Sequence, residues 1–213
     1  MMRGTVPLIA LVLIVVGVCI GTCAMVQAGA NPEHKIAIHV VPHGLACKSL
    51  PTFTECSQIT TTYSGTGDID IVPVFFNLSE YTLVEFALTW PAGWGTCSYT
   101  TCTQTIDVGG ILNSGDGIAS AWTSCQTGWS VCHGYGWLNA TGAGSISVVP
   151  NPATGDCGVV DCAAEPGPYY DRPDTTFCAG VGGGTGGNAC AEQDRGSGEG
   201  EGQSGEIQGY YRP

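Results

Sequence analysis

The sequence predicts an all-β protein, an antiparallel Greek-key β-sandwich. Three observations carry that expectation. Short segments alternating apolar and polar residues recur from Asn31 to Cys162, which is the period of a half-buried strand. Clusters of Gly, Pro, Asn and Asp separate them at the roughly 8–12-residue spacing of sandwiches and barrels. No comparably long stretch after the leader carries the 3.6-residue period of an amphipathic helix.

Residues 1–30 read as an export signal rather than as part of the fold. Arg3 supplies the positive start, Val6 to Ile20 is apolar but for Pro7 and Gly17, and Ala28-Gly29-Ala30 has the small-x-small form of a cleavage site. Cleavage there makes Asn31 the first residue of a chain with no span in its mature part. An uncleaved anchor from Val6 to Val26 is the alternative, since a spanning helix needs about 20 apolar residues.

The first strand is His34–Val41, with Ile36, Ile38 and Val40 on one face and Lys35, Ala37 and His39 on the other. Ile69–Phe76 is strongly apolar, and Pro73 assigns it to an edge or a bulge because proline cannot donate to a ladder. Leu83–Trp90 alternates cleanly, Val84, Phe86, Leu88 and Trp90 against Leu83, Glu85, Ala87 and Thr89. Thr105–Leu112, Gly117–Trp122, Ser130–Leu138, Ser145–Val149 and Gly158–Asp161 follow, with turns at Gly65–Asp68, Pro91–Gly93, Asn113–Gly117 and Pro150–Pro152. These elements define a sandwich domain over residues 31–165. From Glu165-Pro166-Gly167-Pro168 the composition turns to Pro and Gly, and Val181–Gly187 and Arg195–Gly209 carry little that could form a core. Residues 166–213 therefore read as a flexible Gly-rich tail.

The chain has 213 residues with 6 Lys and Arg against 18 Asp and Glu, a formal charge of -12. That balance excludes nucleic acid as a partner, because phosphate binding needs clustered cations. Of 12 cysteines, those after the leader form sequential couples: Cys47 and Cys56, Cys97 and Cys102, Cys125 and Cys132, Cys157 and Cys162, Cys178 and Cys190. Connectivity does not follow from sequence, but closing a short loop costs least entropy, so the expectation is short-range disulfides within each couple, each contributing roughly 2–3 kcal/mol. A zinc site from Cys97, Cys102, Cys157 and Cys162 is the competing reading; its spacing is looser than most structural knuckles. Cys132-His133 lacks the second cysteine of a haem-attachment motif.

The stretches Asp68-Ile69-Asp70-Ile71-Val72-Pro73-Val74 and Val84-Glu85-Phe86-Ala87-Leu88-Thr89-Trp90-Pro91 carry a family resemblance. Gly115-Asp116-Gly117-Ile118-Ala119 and Gly142-Ala143-Gly144-Ser145-Ile146-Ser147-Val148 extend it. Together they resemble the cohesin and carbohydrate-binding-module group of bacterial extracellular β-sandwiches, over the region from Asp68 to about Cys162. The resemblance implies a cohesin-like or jelly-roll-like sandwich. It departs from cohesins in its cysteines and in Trp90-Pro91, where they often carry Asp-Pro, so dockerin binding is not implied.

Several residue groups are candidates for function. Trp94 and Trp129 lie beside glycines and next to cysteine-bearing loops, and with Tyr99 they form a candidate carbohydrate platform; Trp137 also neighbours a glycine. The structural alternative is that these rings fill core or loop space. Asp68, Asp70 and Asp116 are candidate calcium ligands, calcium taking 6–8 oxygens from loops, although no EF-hand pattern is present. Asp68, Asp70 and Glu85 are the carboxylates a glycosidase would draw on. His34, His39, His43 and His133 lack the spacing of a zinc hydrolase motif. The expectation is a secreted, non-enzymatic extracellular or cell-surface module for binding or structural assembly, with a glycan or protein partner or its own copies and no cofactor beyond possible calcium. A carbohydrate-binding module is the alternative, and a glycoside hydrolase the third reading.

Overall fold

The computed structural model describes residues 29–163 and 168–190. The expected leader, apart from Gly29 and Ala30, and residues 191–213 lie outside the described residues. The strands are β1 (Lys35–Pro42), β2 (Thr62–Tyr63), β3 (Gly67–Phe76), β4 (Glu80–Thr89), β5 (Ser98–Thr101), β6 (Ile106–Gly109) and β7 (Gly117–Thr127). They continue with β8 (Ser130–Val131), β9 (Gly134–Ala140), β10 (Gly144–Val149), β11 (Gly158–Val160), β12 (Tyr170–Asp171), β13 (Thr175–Phe177) and β14 (Ala179–Val181). A six-stranded sheet runs β13-β1-β3-β9-β5 with β8 also on β3. An eight-stranded sheet runs β12-β11-β4-β10-β14-β2, with β7 on β4 and β6 on β7. The all-β sandwich is as the alternation predicts.

The inward residues of the two sheets form the main core. Ile36, Ile38 and Val40 of β1, Ile69, Ile71 and Phe75 of β3 and Leu138 of β9 pack with Val84, Phe86 and Leu88 of β4, Ile118 of β7 and Ile146 of β10. Phe75 and Phe86 meet edge to face at 5.6 Å across the sandwich, a favoured aromatic geometry.

β3 is apolar on both faces because it is covered on both. Its outward residues Val72, Val74 and Phe76 join Phe53, Cys56, Ile59, Phe177 and Ala189 in a second, smaller core. The cover is the segment 45–61, which crosses the outer face of the six-stranded sheet through short 3-10 turns at Cys47–Ser49 and Cys56–Gln58. Pro73 sits inside a central strand, not at an edge or a bulge. It faces Ile38 of β1, and on its other side β9 pairs only as far as Ile71 while β8 begins at Phe75. The residue lacking an N–H falls in the gap between two partners.

Two further expectations are corrected. Residues 168–190 are not a flexible tail: β13 pairs in parallel with β1, and β14 pairs with β10 and, in parallel, with β2. Ala179 and Val181 are fully buried, so the segment completes both sheets and makes an otherwise antiparallel sandwich mixed. The disulfides are not local either. Cys47 bonds Cys102, Cys56 bonds Cys190 and Cys125 bonds Cys162, at sequence separations of 55, 134 and 37. Cys97, Cys132, Cys157 and Cys178 are thiols, and burial pushes the first three up to about 12. Loop-closure cost decides pairing only in a chain without structure. Here the covering segment carries Cys47 towards the end of β5 and Cys56 towards the chain's return. No helix among the described residues is long and apolar enough to cross a membrane.

Peptide mapping without reduction is expected to recover these three long-range links, and a Cys47–Cys56 peptide would contradict the fold. Because entropy loss grows with the loop closed, the double substitution Cys56→Ser, Cys190→Ser should lower unfolding free energy by about 5 kcal/mol. Removing the Cys125–Cys162 link should cost about 4 kcal/mol on the same basis.

Candidate functional site

β6 is exposed along its whole length and carries two apolar side chains. β6 pairs with β7 so that Ile106 faces Ala121, Asp107 faces Ser120 and Val108 faces Ala119. β7 in turn aligns Ser120 with Val84, a core residue, and Ala119 with Glu85. Alternation then puts Asp107 on the face of Ser120 and puts Ile106 and Val108 on the opposite face with Ala119 and Ala121, and every residue of β6 is exposed. Ile106 is 64% exposed, Val108 68% and Leu112, just beyond the strand, 57%. Among the described residues β6 has a ladder partner on one side. Such a strip sets apolar side chains beside the unpaired backbone groups of an open sheet edge.

Asp107 is exposed like the rest of β6, and Thr105 Oγ1 donates to its Oδ1 at 2.7 Å; a polar chain lies on the Ser120 side of β7. Tyr99 Oη lies 3.3 Å from His133 Nδ1, and His133 Nε2 lies 3.0 Å from Ser120 Oγ. Ser120, the hydroxyl beside His133, is fully buried. Burial lowers His133 to about 4, against a smaller upward pull from Asp107. Asp107 is held below the usual carboxylate range: desolvation raises it, but the hydrogen bond from Thr105, the nearby hydroxyls of Ser120 and Thr101 and the field of His133 outweigh that.

A second feature lies on the outer face of the other sheet. Asp70 is fully buried and accepts from the amides of Gly44 and Leu45, both at 2.7 Å, and from His43 Nδ1 at 2.9 Å. That anchor sets the His43 ring against Trp137, with centroids 5.6 Å apart. His43, Trp137, Tyr135, Ser98 and Thr100 line a shallow groove of about 240 Å³. Trp137 faces out because its neighbour Leu138 is buried in the core. At Gly136 the inward position has no room for a side chain: a Cβ would lie 2.6 Å from Cys97 Sγ.

The expected sugar-binding residues are scattered. Trp94 is 4% exposed and belongs to the main core, so it presents no face. Trp129 is half-buried against Phe76, with ring centroids 5.4 Å apart. Tyr99 is half-buried, its ring facing Phe86 and its hydroxyl on His133. The aromatic that is exposed is Trp137, 39% accessible; strand alternation in Gly134–Ala140 was its signal.

The carboxylates are separated in the same way. Asp68 and Asp70 lie on β3 of the first sheet, where Asp68 accepts from Asn139 at 2.6 Å. Asp116 precedes β7 of the second sheet, and its Oδ2 accepts from the amides of Leu112 and Asn113. The three candidate calcium ligands are therefore not brought together. Among the described residues the group within metal-ligating reach is Glu80 with Cys125 and Cys162, and both sulfurs are in a disulfide. Glu85, on the outer face of the second sheet, is buried beneath Asn151, Thr154 and Tyr170. Asp70 and Glu85 thus lie on opposite outer faces and cannot flank one glycosidic bond.

No family model and no curated relative matches the chain. Solved structures similar to it include a non-cellulosomal cohesin from the hyperthermophilic archaeon Archaeoglobus fulgidus, at TM-score 0.39 and 8% identity over 70% of this chain and 89% of that one. A type II cohesin domain from the cellulosome of Acetivibrio cellulolyticus has TM-score 0.42 and 11% identity, covering 71% and 96%. The seventh ScaB type I cohesin from Pseudobacteroides cellulosolvens has TM-score 0.43 and 8% identity, covering 70% and 90%. All three are cohesins, the group that the sequence pattern resembles.

Because His133 is lowered in the fold to about 4, the unfolded chain takes up its proton first as pH falls. Its contribution is constant above about pH 6.5 and declines as the pH drops from there towards 4, a loss of about 3 kcal/mol. His34 and His39, lowered chiefly by burial, add to the same trend. Urea unfolding at pH 7, 5.5 and 4.5 should show this slope, and His133→Gln should flatten part of it.

Proposed function

We propose that the chain is an exported, non-enzymatic binding module that docks a protein partner through the outer face and open edge of β6. The single observation that carries the reading is the exposed apolar pair Ile106 and Val108 on a strand that, among the described residues, has a ladder partner on one side. Exposing them leaves apolar area in water that a partner would remove, at about 25 cal/mol per Å². With a formal charge of -12, two copies repel at long range, so the partner that fits is a protein whose apolar strip carries cations at its rim. The export reading rests on Arg3, the apolar run from Val6 and the small residues near Ala30.

A second reading is favoured by the Trp137 groove. An exposed indole beside Tyr135, braced by a histidine anchored on a buried carboxylate, suits the flat face of a sugar ring. It moves the carbohydrate hypothesis from Trp94, Tyr99 and Trp129 to Trp137, Tyr135 and His43.

Two substitutions separate these surfaces. Ile106→Ser with Val108→Ser should abolish binding of the labelled protein to the surface of producing cells while changing stability by less than about 1 kcal/mol; undiminished binding would refute the protein-docking reading. A dimer of the native chain that this pair disperses in sedimentation would show that the partner is a second copy. Trp137→Ala should remove retention on insoluble polysaccharide only if the groove binds sugar. Trp94→Ala should cost about 3–5 kcal/mol as a core deletion and leave either affinity of the folded protein unchanged.

A further inference from the structure

Two carboxylates, Asp161 and Asp171, are buried at the start of the fold. Three successive main-chain nitrogens approach them. Gly29 N lies 2.9 Å from Asp171 Oδ1, Ala30 N 3.0 Å from Asp161 Oδ2 and Asn31 N 2.9 Å from Asp171 Oδ2. The other Asp161 oxygen accepts from the amides of Ala163 and Tyr169, at 3.1 and 2.8 Å. The same short segment is held from the other side: Ser79 Oγ donates to the Ala30 carbonyl at 2.9 Å, and the Asn31 side chain donates to the Glu80 carbonyl at 2.7 Å. Gly29 is pressed so closely that a Cβ there would lie 2.4 Å from Asp171 Oδ2.

These contacts bear on where the leader ends. Cleavage after Ala30 removes the amides of Gly29 and Ala30 and the carbonyl that Ser79 binds, leaving buried carboxylate oxygens without donors, a costly state. Val26 and Ala28 offer a second pair of short uncharged side chains two residues earlier. Cleavage there keeps all three nitrogens. It also turns the first into a cation beside a buried carboxylate, where a charge is best tolerated when paired. His34, the neighbouring imidazole, does not supply that charge at neutral pH, because burial lowers its pKa despite the fields of Asp171 and Asp174.

We propose that the Ala28–Gly29 bond is the processing site and that the new α-ammonium of Gly29 is the counter-ion of Asp171. A leader peptidase hydrolyses that bond with one water, leaving a carboxylate on Ala28 and an ammonium on Gly29. The maturing chain end is then a structural ion pair, and removal of the leader completes the fold. The proposal rests on the export reading of residues 1–28.

The test has two arms. The full chain is exported with its own leader and weighed intact. A product beginning at Gly29 supports the proposal. One beginning at Asn31 overturns it while leaving export standing, and one that keeps the leader overturns the export reading and the proposal together. In the second arm, chains released from a fusion to begin at Gly29 or at Ala28 are melted, each with and without Asp171→Asn. The Gly29 chain should melt roughly 2–4 °C above the Ala28 chain, and Asp171→Asn should erase that difference, since the cycle isolates the pair. Equal melting of the two chains with native side chains overturns the proposal even where Asp171→Asn fails to fold.

Discussion

The burial of β3 on both faces is the constraint on which the rest of this structure depends. A strand covered on one side needs only alternate apolar residues, whereas Val72 to Phe76 is almost continuously apolar and must be covered twice. The main core takes Ile69, Ile71 and Phe75, and the segment 45–61 with the returning chain takes Val72, Val74 and Phe76. That second layer is thin and made largely of irregular backbone, so its own packing is modest. The long-range disulfides compensate by tying the cover to the body of the molecule, Cys47 to Cys102 and Cys56 to Cys190.

Once β3 is fixed, the acids have few places to go. Asp70, on its outer face, is buried beneath the start of the cover and finds the amides of Gly44 and Leu45 there. Glu85 occupies the corresponding outer face of the other sheet beneath Asn151 and Thr154. In each case buried charge is met by local donors, as the cost of leaving it unpaired requires. These carboxylates therefore organise loops and set the orientation of His43 and Trp137 rather than face a common cleft.

β6 differs from the other strands in being exposed along its whole length. Among the described residues it pairs with β7 on one side, so Ile106 and Val108 stand in water beside Asp107. An edge strand ordinarily carries charge or proline at such positions rather than two β-branched apolar side chains.

Alternation alone determined the class of this protein and most of its central strands: the inward rows Ile36, Ile38, Val40 and Val84, Phe86, Leu88 are written in the order of residues, since a pleated strand has a period of two. The turns were equally legible because Gly, Pro, Asn and Asp impose local backbone geometry. Short strands such as Ser98–Thr101 and Thr175–Phe177 were not, because a few residues hold no period and are strands only through the neighbours they pair with. The same holds for the cysteines, for the burial of Trp94 and for the exposure of Ile106 and Val108. Each depends on which distant segment arrives alongside. Only the tertiary structure decided that, because the free energy of covering β3 outweighs the small entropic preference for nearby partners.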